Sequence, residues 1–316
     1  MIRLIAILVG LGFSGVALIS LLFGLGPAFS TLAEHGRFVA PSAEHEFYEK
    51  AHAPEGGFSF AGPLGRWDEA QLQRGYQVYK EVCAACHGLK YVAFRDLAQL
   101  GYTEGQVKAL AAEWTVPGVD PDTGEATTRP GLPTDNFPSP YPNNIAAAAA
   151  NNNAIPPDLS LITKARGNGS EYVYSLLTGY SAPPAEIATR FPEFDVSSGL
   201  HYNRYYKTLA LAMAPPIVAD GQVTYAEGGP EPTIQQMSED VAAFLTWTAE
   251  PKMQERRQTG IAVIVFLIFA TVLGSNGLGG GGPPTRRTSR AVLGCASHRG
   301  GLRAAPATIN TYAARR

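Results

Sequence analysis

Five consecutive residues constrain this chain more than any others: Cys83-Ala84-Ala85-Cys86-His87. Cys-x-x-Cys-His is the attachment pattern of a c-type haem. Two thiols one helical turn apart can add to both vinyl groups on one macrocycle edge, and the following histidine is then placed under the iron as proximal ligand. Competing readings need contexts that the chain lacks. A thioredoxin-like dithiol needs a βαβ setting, whereas the flanking pattern here is helical. A zinc site needs a further ligand pair, and the third cysteine, Cys295, lies in an unusual C-terminal tail. With three cysteines in all, no disulfide framework is available. The expected cofactor is one covalent haem c.

A buried haem supplies apolar surface that a loop-rich chain otherwise lacks, and this chain has 34 Gly and 24 Pro in 316 residues. The expected fold is mainly α, a c-type cytochrome haem domain with long loops. Residues 31–67 read as an entry segment. Asp68–Val82 reads as a helix, with Leu72, Tyr76, Tyr79 and Val82 on one face and Asp68 as its cap. Thr103-Glu104-Gly105-Gln106 is a capping box opening a helix through Trp114. Residues 115–145 read as a long loop, and Ala146–Ala150 as one or two helical turns. Ser170 is the expected cap of a helix Glu171–Thr178 ending at Gly179. Residues 181–236 read as irregular. Ser238 is the expected start of a helix carrying Val241, Phe244, Leu245 and Thr248, stopped by Pro251. No strand pattern persists.

Both ends carry membrane signals. Arg3 precedes a run, residues 4–33, without a charged side chain. Residues 1–30 read as a signal peptide or, if uncleaved, an N-terminal anchor. Residues 31–256 then form an exported haem domain. Near the other end, Gly260–Leu273 is apolar for 14 residues, about 21 Å of helix, short of a hydrocarbon core of about 30 Å. Length alone favours a buried or interfacial helix. Flanking Arg256 and Arg257 and the basic tail favour a transmembrane helix at 257–273 that looks truncated, with the tail in the cytoplasm. Residues 274–316 form a Gly/Arg-rich tail with seven arginines and no acid, whereas residues 1–273 carry 18 basic against 27 acidic groups. An acidic body favours a basic partner and argues against nucleic acid.

The sixth iron ligand is sought among six histidines and four methionines. His35, His45 and His52 fall in the entry segment and His298 in the tail, leaving His201, Met213, Met237 and Met253. Met237 stands at a helix start and Met253 among charges. Met213 sits in the apolar strip Leu209–Ile217, stiffened by Pro215 and Pro216. A thioether suits iron in a dry pocket, so the chemistry favours Met213 over His201, although a lone methionine on an apolar strip is also an ordinary core residue.

Several blocks, in order, resemble the cytochrome c1 family, the haem subunit of ubiquinol–cytochrome c reductase (complex III). They are Arg74–His87, Asp135–Asn143, Pro156–Ser160, Tyr172–Tyr180, Met213–Ile217 and Phe244–Pro251. The resemblance implies His87 and Met213 as axial ligands. It also implies that Arg166 meets a haem propionate with Tyr172 and Asn151 nearby; read without it, Arg166 is a solvated loop arginine and Tyr172 a core residue. It implies one-electron transfer from the Rieske iron–sulfur protein to a cytochrome c, beside cytochrome b, with the haem domain on the periplasmic side of a bacterial inner membrane and a C-terminal helix in its lipid. An electron-transfer subunit of this kind has no substrate-turnover site of its own. The alternatives are a free-standing membrane-anchored cytochrome and a haem peroxidase. The family's C-terminal helix usually continues past Leu273 with apolar residues, so residues 274–316 read as a shifted reading frame or a sequence error, and Cys295 receives no role.

Overall fold

The computed structural model describes residues 2–36, 41–196 and 199–278. Helix α1, Ile2–His35, runs without a break through Pro27. Its Ser30 and Thr31 hydroxyls both donate to the Pro27 carbonyl, at 2.9 and 2.8 Å. The segment Arg3–Glu34 is long and apolar enough to cross a membrane.

The haem-motif unit is mainly helical, as its pattern predicts. After α2 (Ala43–Phe47), helix α3 spans Glu69–Val78, and Asp68 caps it by accepting the Gln71 N–H at 3.2 Å. A π-helical turn, Tyr79–Cys83, continues α3 into the motif. A 3-10 turn at Phe94–Leu100 precedes α4 (Glu104–Ala112). The expected capping box is formed: the Gln106 N–H reaches Thr103 Oγ1 at 3.4 Å, and the Thr103 N–H reaches Gln106 Oε1 at 2.8 Å. Helices α5 (Asn144–Ala150), α6 (Ile162–Ala165), α7 (Gly169–Thr178), α8 (Ala185–Arg190) and α9 (Ile234–Ala249) follow.

The core forms where α3 crosses α9. Gly75 allows it: a Cβ there would lie 2.1 Å from the Asp240 carbonyl oxygen. Beside the crossing, Arg74 Nε and Nη2 donate to Asp240 Oδ2 and Oδ1 at 2.8 and 3.1 Å, and the Asp240 side chain is fully buried. Such a forked pair fixes rotation as well as distance. Around it Tyr76, Tyr79, Phe94, Phe137, Phe244 and Trp247 are buried, with Phe94 and Phe137 centroids 4.4 Å apart. A smaller cluster joins Ala43, Ile187, Phe191, Tyr202 and Leu209.

Several boundaries differ from the sequence expectation. The loop 115–145 contains an antiparallel hairpin, β1 (Thr115–Val119) with β2 (Ala126–Pro130), Thr115 opposite Pro130. Its side chains are mostly exposed, so no apolar alternation marks it. The stretch 181–236 holds α8 and a two-residue ladder, β3 (His201–Tyr202) with β4 (Ala210–Leu211). Helix α7 starts from Asn168 in the left-handed region, φ 63°. Ser170 therefore lies inside the helix, its hydroxyl 2.6 Å from Thr246 Oγ1. Thr233, not Ser238, caps α9, accepting the Gln236 N–H at 3.1 Å; Ser238 is buried one turn in. Residues 31–67 are more than an entry segment, because Phe58 and Phe60 belong to the main core.

Helix α10 covers Met253–Leu278. The 14-residue apolar run is thus the middle of a 26-residue helix, about 39 Å long. Its segment Met253–Ser275 is long and apolar enough to cross a membrane, which removes the shortfall computed from the apolar run alone. The tail beyond 278, with Cys295 and His298, lies outside the described residues.

Candidate functional site: a haem attachment site

Local backbone geometry presents the motif. In the π turn the Ala84 N–H reaches back five residues to the Tyr79 carbonyl at 2.8 Å, and the Cys86 and His87 N–H groups then both meet the Cys83 carbonyl, at 3.1 and 2.9 Å. The buried Tyr79 ring lies beneath the loop, and its hydroxyl donates to the His87 carbonyl at 2.9 Å. This bond ties the last motif residue to the helix that carries the first.

The imidazole is fixed from its other side. His87 Nδ1–H donates to the Pro157 carbonyl at 2.7 Å. With the proton on Nδ1, the lone pair resides on Nε2, as an iron ligand requires. Burial lowers the His87 pKa, against the opposing pull of the Pro157 carbonyl and Asp158, so the ring is held neutral. The Pro157 segment is itself pinned: Leu159 N–H to the Gly88 carbonyl at 2.9 Å, Lys90 N–H to Asp158 Oδ2 at 2.9 Å, and Tyr91 N–H to Ser160 Oγ at 3.2 Å. Nothing in the sequence singles out Pro157 or Asp158 as neighbours of His87, or Tyr79 beyond its place on the α3 face. The block Pro156–Ser160 was visible, but only folding brings it beside His87.

The thiols fit haem attachment better than redox exchange. Cys83 and Cys86 are both free. Burial, with Cys86 adding to it, pushes the Cys83 thiol up to about 12, the opposite of the depressed value of a reactive dithiol. Among the described residues no three His, Cys, Asp or Glu side chains group into a metal cage. A histidine with a directed lone pair beside two unpaired thiols suits an iron whose equatorial ligands come from a porphyrin.

On the strip Leu209–Ile217, the Tyr180 hydroxyl donates to the Met213 carbonyl at 3.0 Å. Four residues before Met213, buried Leu209 adopts φ 57°; four residues after it, Ile217 enters the main core. Met213 is half-buried, whereas Met237 and Met253 are packed in the core on α9 and α10. His201 is half-buried and paired in β3 opposite Leu211. Both His52 ring nitrogens are engaged, Nδ1 with the Ala53 carbonyl at 2.8 Å and Nε2 with the Tyr205 hydroxyl at 3.1 Å. Met213 is therefore the methionine of the three that stands on a loop, free of core packing on a helix.

Arg166 and Tyr172 come together. Burial raises the Tyr172 pKa, and the charge of Arg166 and a hydrogen bond from it pull the other way. Tyr180 lies close enough to Tyr172 to feel its charge. Arg166 is exposed, and its Nη1 donates to the Ala165 carbonyl at 3.2 Å. Asn151 behaves differently: its Nδ2 donates to the Tyr141 hydroxyl at 3.0 Å and the Ala147 carbonyl at 2.7 Å, closing the end of α5.

A model of the Cytochrome C1 family matches residues 58–276. Cytochrome c1-2, heme protein, mitochondrial, of Solanum tuberosum is 47% identical over 242 residues, covering 77% of this chain and 86% of that protein. Cytochrome c1 of Rhodospirillum rubrum is 44% identical over 239 residues, covering 71% of this chain and 87% of that one. A cytochrome b/c1 of Bradyrhizobium diazoefficiens is 43% identical over 264 residues, 77% of this chain and 37% of the longer protein. The match begins in the core at Phe58, takes in the thiols, His87 and Met213, and runs into the last apolar helix, and on that extent the chain belongs to the cytochrome c1 family.

Proposed function

We propose that this chain holds one covalent haem c through Cys83 and Cys86, with His87 and Met213 as axial ligands. It relays one electron from a Rieske iron–sulfur protein to a cytochrome c within a quinol–cytochrome c reductase. The observation that carries this reading is the locked imidazole: Nδ1–H on the Pro157 carbonyl, Nε2 directed away, the ring kept neutral by burial. When bound, the haem supplies an iron that alternates between the ferric and ferrous states.

The residues of the chain set the conditions for that exchange. Burial disfavours the charged form of His87, so the neutral ring is the form offered to an iron. Tyr79 and the pinned 156–160 segment hold the imidazole still, which lowers reorganisation on electron transfer. A Met213 thioether favours the reduced state and raises the potential. Arg166, with Tyr172 against it, offers a forked donor to a propionate. Asn151, secured at the end of α5, is proposed to stand nearby. The acidic body steers a basic cytochrome c towards the site. The b/c1 relative joins both names in one chain, which supports cytochrome b as a neighbour. The two long apolar helices support a membrane location, with the haem domain on the periplasmic side of the bacterial inner membrane.

Isolation of the holoprotein from membranes tests the proposal. The haem is expected to stay with the polypeptide after acid–acetone extraction, and the ferric form is expected to show a weak thioether band near the red edge of the visible spectrum. Co-purification with a cytochrome b and a Rieske protein is expected. A high-spin ferric spectrum would instead support an open-site haem enzyme, and a six-coordinate protein purifying alone a free-standing carrier.

A further inference from the structure

The turn Phe58–Arg66 is built more tightly than a connecting loop requires. Three backbone bonds close it: Ala61 N–H to the Phe58 carbonyl at 2.9 Å, Gly65 N–H to the Gly62 carbonyl at 3.4 Å, and Arg66 N–H to the Ser59 carbonyl at 3.1 Å. Gly62 takes φ 74°, and a Cβ at Gly65 would lie 2.2 Å from the Ala61 carbonyl oxygen. Its stem is anchored by Phe60, whose ring lies 5.0 Å from Phe58 and 4.7 Å from Trp67. Yet its tip, Gly62-Pro63-Leu64, points outward, and Leu64 is 81% exposed. A single exposed leucine is ordinary on a protein surface; what matters here is where its turn stands and so which occupant it fits.

The position of the turn identifies that occupant. Arg257 Nη1 donates to the Phe60 carbonyl at 2.6 Å, so the turn meets α10 one helical turn before the apolar run begins at Gly260. Cations gather here: Arg66 on the turn, Lys252, Arg256 and Arg257 on and before α10, and Lys164, which shares Glu250 with Arg256. Glu250 and Glu255 are the acids among them, and residues 56–67 contain none. A basic cluster on an otherwise acidic body, beside an outward leucine and the start of an apolar helix, matches a bilayer surface. Phosphates lie at the level of the cations and acyl chains just beyond.

We propose that the 61–66 turn is a second membrane contact, in which Pro63 and Leu64 enter the interfacial layer while Arg66, Lys252 and Arg257 meet anionic phospholipid headgroups. This rests on the reading that α10 crosses the membrane.

Site-directed spin labelling separates the two claims. Leu64→Cys is labelled in a Cys295→Ser background, on the full-length holoprotein purified with its accompanying subunits and reconstituted in phosphatidylcholine vesicles with or without phosphatidylglycerol. Phe266→Cys in α10 and Glu125→Cys at the β1–β2 turn serve as controls. At position 64 the label is expected to be accessible to oxygen and shielded from a water-soluble nickel chelate, like 266 and unlike 125, and to move deeper when phosphatidylglycerol is present. An aqueous reading at 64 with a lipid reading at 266 overturns the proposal and leaves α10 as a span. Shielding of 64 from both reagents also overturns it, because a protein neighbour then covers the turn. An aqueous reading at 266 overturns the span and the contact together. A depth at 64 that ignores phosphatidylglycerol overturns the assignment of the cations to headgroups.

Discussion

Gly75→Ala tests how far the haem-bearing segment depends on the α3–α9 crossing. The new Cβ would stand 2.1 Å from the Asp240 carbonyl oxygen and 2.7 Å from both the Asp240 carbonyl carbon and Phe244 Cβ. The nearest atom is helix backbone, so no side chain can swing away. Restoring ordinary contact near 3.4 Å requires α9 to withdraw by about 1.3 Å. A gap of that size around Tyr76, Tyr79 and Phe244 forfeits a large part of their dispersion contact. Overpacking of this kind costs about 1–3 kcal/mol, and the upper end applies where backbone must move. Alanine returns up to about 1 kcal/mol through helix propensity, leaving a net loss of about 2 kcal/mol. Guanidinium unfolding of the holoprotein, followed by far-ultraviolet circular dichroism and by the thioether band, reads this out. The midpoint is expected to fall, and the band to fade at lower denaturant than the helix signal, because Tyr79 leaves α3 directly into the motif. A midpoint equal to the parent's within error would refute the reasoning, since it would mean that α3 and α9 do not pack at Gly75.

Met213→Leu is expected to lower the haem potential and erase the red-edge band in a redox-titrated spectrum, whereas Met237→Leu, in the core, leaves both unchanged. Arg74→Ala leaves the fully buried Asp240 carboxylate without its counter-charge, with Gln236 Nε2 still donating to Oδ1 at 2.9 Å; breaking such a pair costs about 3–5 kcal/mol, measurable by urea unfolding, and Asp240→Ala in the same background is expected to recover part of the loss. Tyr79→Phe removes one hydrogen bond to the His87 carbonyl and is expected to cost about 1 kcal/mol, with a shift in potential that a purely structural role would not produce. The Arg129 guanidinium and the Leu132 N–H hold the Asp135 carboxyl below its ordinary value. Its contribution is therefore fully present above about pH 4 and is lost as pH falls through the lowered value; an acid titration of stability is expected to flatten below pH 4 in Asp135→Asn.

Much of the fold could be read from local chemistry. Asp68 and the Thr103–Gln106 box mark the starts of α3 and α4 because an N-cap is a short-range bond between residues three apart. The same logic misleads at Ser170 and Ser238, which lie inside helices: Ser238 is fully buried and its hydroxyl caps nothing. Ser170 meets Thr246 across two helices, a partnership no local pattern encodes. The β1–β2 hairpin escapes notice because Val116 alone of its side chains is buried, and it stands otherwise on backbone pairing and the Arg129–Asp135 bond. At the site, the thiols and His87 are contiguous and therefore legible. Pro157 lies 70 residues from His87 and supplies a carbonyl that every residue possesses; only its position beside the imidazole singles it out. The apolar run at 260–273 gave too short a helix because helix length is set by backbone hydrogen bonds, which continue through polar residues on either side.

Met253, the first residue of α10, is buried in the main core alongside α9 residues. This has a practical consequence for anyone seeking a water-soluble fragment. Cutting the chain just ahead of the apolar run and its helix would remove a core side chain and leave a methionine-sized hole in the main core. Losing a buried methionine of this kind costs about 2–5 kcal/mol, enough to consume much of a typical domain's stability. A cut after Arg257 keeps Met253 and the Arg257–Phe60 bond while discarding the residues that need lipid. The boundary between the part that water can dissolve and the part it cannot therefore falls inside one helix, not at its end.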